Sequence, residues 1–486
     1  MRPAGPGCGG KPGSCRLRTA AIMATVGLGA WLIVAAAPAS AAGKRLTTGL
    51  SDTAFRSTDP DLREATFDRA VRAGAGIVRV NVSWRSIAGE RPEAPADPAD
   101  PAYDFSALDQ SVIDAADSGL AALLTVYRAP AWAEGANRSQ AVPAGAWRPR
   151  ASDLRAFARA LADRYSGSFA GPQGTLPRVR HFQAWNEPNL RIYLAPQRRR
   201  GRLIGARIYR RLLRAFYGGV KAAGADGVVV TGGTAPYGDS RGPARTRPLA
   251  FWRAVLCLRG RHRLAPRKCK RRARFDVLGH HPINTSGGPH RGAVNHDDVA
   301  TPDLGRLRRV LRVAERTDRV LPAGLRRPLW VTEFWWQTNP PSRRHGVAPG
   351  KHARWIQAGL YEFWRRGARV AINHLVTDGS AGDPGAVAGS GLYFGDGAAK
   401  PALRAFRFPF VVRREGPRRL VAWGRAPRAG TVAIRIRARG SWRTVARAPV
   451  AAGQVFQRRI RRRVGRGPWR LRAELADDRS RVWRQR

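Results

Sequence analysis

Residues 179–189 read VRHFQAWNEPN. An apolar run that closes on Asn186, Glu187 and Pro188 has the form of a buried strand that delivers a carboxylate at its C-terminal end. A second run of the same form, PLWVTEFWW at residues 328–336, closes on Glu333 and continues into Phe334, Trp335 and Trp336. Whether the two acids meet depends on how many strands lie around them and how those strands are connected.

Six more segments have strand character: RLTTGLSD from Arg45, GIVRVNVSW at 76–84, LAALLTVYRAPAW from Leu120, GVVVTGG from Gly227, FDVLGHHP from Phe275 and RVAINHLVTD from Arg369. Amphipathic stretches at 61–74, 104–119, 152–167, 208–224 and 352–367 lie between them. In the third of these, Ser152 is placed to cap a helix whose Leu154, Phe157, Leu161 and Tyr165 follow helical spacing. Eight alternating units predict an α/β chain folded as a (β/α)₈ TIM barrel. The rival, an open doubly wound sheet, would carry a Gly-rich turn after its first strand, and none is present. In a barrel the C-terminal strand ends converge on one face. Glu187 ends the fourth strand and Glu333 the seventh, so both are expected in one cleft.

The helical period stops near Phe408. TVAIRIRA and WRLRAEL alternate apolar with polar residues, which predicts a small all-β, sandwich-like domain over 407–486 with an arginine-rich solvated face. The barrel is then expected over 42–406. Residues 1–41 combine basic residues, an apolar run from Ala20 to Ala37 and the small residues Ala39, Ser40 and Ala41, the layout of a signal peptide. No later segment is apolar for long enough to span a membrane. An exported, secreted or envelope-associated chain follows. Cys257 and Cys269, the cysteines beyond that segment, are expected to form a disulfide in an oxidising compartment.

The formal net charge is +53, and only seven of the 87 basic residues are lysine. Such a surface attracts anionic polymers non-specifically and in a salt-dependent way. No motif of a specific nucleic-acid reader is present. The spacing of His262, His280 and His281 fits no metal site, and neither a metal nor an organic cofactor is expected.

Two carboxyl groups facing each other split a glycosidic bond when one protonates the leaving oxygen and the other attacks the anomeric carbon. Tryptophans suit the faces of sugars, and Trp335 and Trp336 stand next to Glu333. On these residues the chain resembles the retaining glycoside hydrolases of clan A, as in families 5, 39 and 42. Asn186-Glu187-Pro188 is similar to their acid/base motif and Thr332-Glu333 to their nucleophile motif. VRVNVSWRSI, with Arg79, resembles their second strand, and DVLGHHPIN, with His281 and Pro282, their sixth. The resemblance spans residues 46–401. It implies a retaining O-glycosidase with Glu187 as acid/base, Glu333 as nucleophile, and Arg79, Asn186, His281, Trp335 and Trp336 around a carbohydrate substrate. The alternative is a weakly active or inactive barrel that binds carbohydrate or acidic envelope polymers. Two positions depart from the pattern. Ile283 stands where a tyrosine often touches the nucleophile, and Asn373, His374 and Asp378 stand where a tryptophan often underlies the sugar.

Overall fold

A computed structural model describes residues 45–224, 226–239, 242, 244–284, 287–379, 389–416, 419–438, 440–461 and 469–485. The expected signal segment, 1–41, lies outside the described residues. Eight strands alternate with eight helices: β1 (Thr47–Ser51), α1 (Pro60–Arg72), β2 (Ile77–Ser83), α2 (Ser106–Asp117), β3 (Ala121–Tyr127), α3 (Ala151–Arg164), β4 (His181–Ala184), α4 (Gly205–Ala222), β5 (Val228–Thr231), α5 (Pro248–Val255), β6 (Leu278–His280), α6 (Leu304–Arg316), β7 (Leu329–Phe334), α7 (Pro349–Arg365), β8 (Ala368–His374) and α8 (Pro401–Arg407). The strands form one parallel sheet in the order β6-β7-β8-β1-β2-β3-β4-β5. Parallel bridges from Val230 to Val277 and from Thr234 to His280, with the Thr231 amide donating to the Val277 carbonyl at 2.9 Å, join β5 to β6 and close the barrel.

Period two explains what fills it. Ile77, Leu123, Val230, Val277, Trp330, Val370 and Ile372 pack together as an apolar plug inside the barrel. Their outward neighbours, such as Val78, Val80, Leu124 and Val331, join the larger core under the helices. Above the plug the inward positions turn polar: Arg79, Thr125, Gln183 and Thr332 are all buried. Gly49 lets β1 run close to β2, since a Cβ there would stand 2.5 Å from the Ile77 carbonyl oxygen.

Two details differ from expectation. Helix α3 begins at Ala151 after Arg150, with no side-chain cap, so Ser152 sits inside the first turn. Helices α5, α6 and α8, for which no segment was assigned, complete the alternation. The apolar stripe of α6 (Leu304, Leu307, Val310, Leu311, Ala314) is buried while its arginines face outward.

From Phe410 the chain is antiparallel. Strands β9 (Phe410–Arg414), β10 (Arg419–Arg425) and β13 (Val455–Arg461) form one sheet. Strands β11 (Gly430–Ala438), β12 (Ser441–Val450) and β14 (Trp469–Leu475), with two short C-terminal strands, form another. A second core lies between the sheets, around Phe408, Phe410, Ile434, Ile436, Phe456 and Leu471. Trp423 of β10 packs against Tyr361 and Trp364 of α7, at ring distances of 5.3 and 5.7 Å. Arg425, buried, donates to the carbonyls of Leu46 and Gly74, just before β1 and β2. These contacts place the all-β region against the N-terminal end of the barrel. Cys257 and Cys269 are joined by a disulfide that staples the loop between α5 and β6.

Candidate active site

The site stands on a polar layer just above the apolar plug. Arg79, two residues after Ile77 on the inner face of β2, is 2 % exposed. Its Nε donates to Thr125 Oγ1 and Gln183 Oε1, both at 3.1 Å. Its Nη1 donates to Glu333 Oε2 at 2.9 Å and its Nη2 to Asn186 Oδ1 at 2.7 Å. Gln183 in turn donates to the Thr231 carbonyl and to Thr332 Oγ1. Side chains from β2, β3, β4 and β7 are thereby locked together. Because Asn186 Oδ1 accepts from Arg79, the amide NH₂ is the end left for a ligand.

Strict alternation along β4 would give only one of two adjacent residues access to the barrel mouth. Trp185 and Glu187 escape it with φ of 80° and 36°, in the left-handed region that bulky side chains rarely adopt. Such backbone costs on the order of 1–3 kcal/mol per residue and clusters at functional sites. Here it is held by the Trp185 indole, which donates to the Tyr193 carbonyl at 2.8 Å, and by the Glu187 amide, which donates to the Gly233 carbonyl at 3.0 Å. On β7 a register shift between Val331 and Phe334 has the same effect. It is a β-bulge that lets Thr332 and Glu333 both face inward while Phe334 turns out onto Phe363 of α7.

The two acids meet through His281. Its Nδ1 lies 3.0 Å from Glu187 Oε1 and 3.8 Å from Glu333 Oε2, so those oxygens are separated by at most the sum of the two distances, about 6.8 Å. The ring fits because residue 233 is glycine: a Cβ there would stand 2.1 Å from His281 Nε2. Burial opposes ionisation of Glu333. The charges of His281, His374 and Arg79, with the Arg79 hydrogen bond, outweigh it and hold this carboxyl well below the usual carboxylate range. His280, fully buried, bonds through one ring nitrogen to Thr234 and through the other to the Val299 carbonyl, and burial pushes its pKa down to about 3. It is neutral and turned away from the acids.

A cleft of about 1000 Å³ opens above the pair. Arg79, Asn186, Glu187, Ile283, Glu333, Trp335 and His374 line it, as do several residues that were not anticipated: Tyr127, Tyr193, Tyr237 and Arg128. Tyr193 stays protonated, since burial and then the charges of Glu187 and Glu333 raise its pKa. It follows the Asn-Glu-Pro turn, a position whose only sequence signal was an aromatic close to a candidate acid. Asp378 also lines the cleft, tied back by Lys400 at 2.6 Å.

Trp336 is a correction. Expected beside the substrate, it is 3 % exposed, packs edge-on to Phe334 and Trp355, and donates to the Gly287 carbonyl. Beyond the bulge the alternation resumes, so of two adjacent tryptophans only Trp335 faces the cleft. Trp84 and Trp132 are not among the residues that line the cleft. They meet edge-on at 5.7 Å, and Trp84 stacks on Phe157 inside the core. Asn373 is fully buried, its amide donating to the carbonyls of His374, Leu375 and Ser390.

Among solved structures, the chain matches a family 39 glycoside hydrolase from the gut symbiont Bacteroides cellulosilyticus WH2, with a TM-score of 0.51 and 16% identity, over 86% of this chain and 81% of that one. It matches a glucosidase from Croceicoccus marinus with a TM-score of 0.50 and 14% identity, over 87% of this chain and 94% of that one. The fold is shared with glycoside hydrolases. No family model matches the sequence, and no curated protein matches it.

Proposed function

We propose that the protein is a retaining O-glycoside hydrolase that cleaves β-glycosidic bonds of an oligo- or polysaccharide. The observation that carries this reading is the pair Glu187 and Glu333, both within 3.8 Å of His281 Nδ1 at the mouth of a barrel whose fold neighbours include a glucosidase and a family 39 glycoside hydrolase. The upper bound on their separation accommodates the ~5–5.5 Å of retaining enzymes and lies at the low edge of the ~6.5–9.5 Å that inverting enzymes need for an intervening water.

In this reading Glu333, held ionised by Arg79, His281 and His374, attacks the anomeric carbon. Glu187 gives its proton to the glycosidic oxygen as that bond breaks, and the aglycone leaves. Glu187 then takes a proton from water, whose oxygen displaces Glu333 from the sugar. His281 Nδ1, 3.0 Å from Glu187 Oε1, holds that carboxyl in position. Asn186 presents its NH₂ to a sugar hydroxyl, and Trp335 offers a face to the ring. The balance closes with two carboxyl groups and one water and requires no cofactor. The Cys257–Cys269 disulfide supports an extracytoplasmic setting.

The test is a screen of aryl β-glycosides. Glu333→Ala should lose turnover by about 10³-fold or more, and azide should restore it by forming a glycosyl azide of inverted configuration. Glu187→Ala should keep more activity on aglycones that leave without protonation. Wild-type protein that binds oligosaccharide but turns over no glycoside would select the non-catalytic alternative.

A further inference from the structure

The wall of the barrel formed by α4, α6 and the loop between α5 and β6 carries charge that the cleft does not use. Residues 257–275 contain nine arginines and lysines and no acidic residue. The disulfide closes this loop, and arginines fasten it to the wall through carbonyl groups. Arg214 donates to the Arg272 carbonyl at 2.6 Å, Arg272 to that of Asp318 at 3.0 Å, and Arg309 to that of His262 at 2.9 Å. A bond to a carbonyl fixes a guanidinium and leaves its charge uncompensated.

Beside the loop lies a depression of about 440 Å³ lined by Arg308, Arg312, Arg316, Arg326 and Arg327, with Glu315 the one acid among its lining residues. Of the neighbouring acids, Asp276 pairs with Lys221 of α4, and Asp297 with Arg253 of α5 and with Arg261 of the loop. Burial and mutual repulsion by neighbouring arginines lower the pKa of Arg210 and Arg214, as expected of cations crowded on one surface. Arg312, Arg316, Lys268, Lys270 and Arg271 are exposed. The loop starts at the N-terminal end of the barrel and runs along its outside to the β6–α6 loop, where His262 meets His296 at 5.1 Å and Arg261 pairs with Asp297.

We propose that this stapled loop, with the outer face of α6 and its depression, is a docking surface for an acidic polysaccharide, a flexible chain bearing spaced carboxylates. The cations are spread over three elements, so a polymer engages them together where one small anion would fill the depression alone. Single-stranded nucleic acid would need open aromatic platforms. Tyr217, the ring on this wall, is already covered by Lys221 and Arg274 at 5.2 and 5.1 Å.

The proposal is independent of the glycosidase reading, because its test measures binding. The full chain is passed over immobilised polygalacturonate and over dextran at increasing salt. It should bind the first with a steep salt dependence and the second not at all. Lys268→Glu, Lys270→Glu, Arg312→Glu and Arg316→Glu together should weaken binding at least tenfold and flatten the salt slope. Four reversals on the C-terminal sheets, at Arg437, Arg443, Arg470 and Arg484, should change it less than twofold. The neutral substitutions Lys268→Gln and Lys270→Gln, with the melting temperature followed, give the same reading if the reversals unfold the chain. Equal weakening by both sets would reduce the effect to overall charge and overturn the proposal. Tighter binding to duplex DNA or to phosphatidylglycerol vesicles at the same salt would overturn the choice of polymer.

Discussion

At the scale of single residues, Arg79 decides most. It is a buried cation with acceptors on three other strands, and one of them is Glu333. A lysine has no fork with which to hold Glu333 and Asn186 together. Arg79→Lys should therefore lower kcat/KM by about 10- to 100-fold, the worth of a charged hydrogen bond of about 1.5–3 kcal/mol. The pH profile separates this from simple misfolding. The Glu333 pKa is depressed in the folded protein, so the group stays ionised well below ~4.3, the ordinary value for glutamate. Weakening one of the groups that depress it should move the acidic limb of kcat/KM to higher pH. An unchanged limb would remove Arg79 from control of that carboxyl. Arg79, Asn186 and His281 were named in the sequence because the segments that carry them resemble strands two, four and six of clan A glycoside hydrolases. Tyr127 and Tyr193 were not, because only closure of the barrel brings the end of β3 and the turn after β4 over the acids.

Among the elements, the ends of β4, β5 and β7 carry the site, and each breaks the regularity of its strand. β5 runs into Gly232 and Gly233. The second of these admits the His281 ring, with a Cβ predicted 2.1 Å from its Nε2 and 2.6 Å from Thr332 Oγ1. Gly233→Ala should displace the ring from its place against the carboxylates. The expected outcome is a loss of about 100-fold in kcat/KM with a stability cost of only about 1–3 kcal/mol, the usual range for overpacking. Steady-state kinetics and a melting curve on one preparation check both. Activity within threefold of wild type would mean that His281 does not organise the pair. On β7 the bulge explains the one site residue that was misplaced. A reading by period alone cannot tell which of Trp335 and Trp336 faces the cleft, because one inserted residue reverses the assignment of everything after it.

For the whole molecule, the all-β region is part of the barrel's stability and not of its cleft. Trp423 fills a space against α7 at the far end from Glu187 and Glu333. Trp423→Ala should cost about 3–5 kcal/mol in denaturant unfolding. Below the lowered melting temperature, kcat/KM should stay within twofold, and a large fall there would mean that the region shapes the site. Acid stability follows from two buried imidazoles. Burial lowers His280 and His352 to about 3, against ~6.5 for an exposed histidine. Across that window the unfolded chain binds protons that the folded one does not. Their contribution is thus intact above pH ~6.5 and is lost as pH falls, by about 2 kcal/mol for each by pH 5. His352→Leu should shrink the drop in stability between pH 7 and pH 5 by about half, measured by urea unfolding at each pH.

What the sequence determined by itself was local: eight apolar segments separated by amphipathic ones, a change of period near Phe408, and acids at the ends of the fourth and seventh strands. Period and composition act within a few residues, so one chain suffices to read them. The tertiary structure decided which side chains at those strand ends look inward. The left-handed turns at Trp185 and Glu187, the bulge before Phe334 and the slot left by Gly233 exist because neighbouring strands, closed into a barrel, fix register and hydrogen bonds from outside the segment. The meeting of Glu187, His281 and Glu333 depends on those contacts, and they join residues separated by as many as 94 positions in the chain even for its tightest bond.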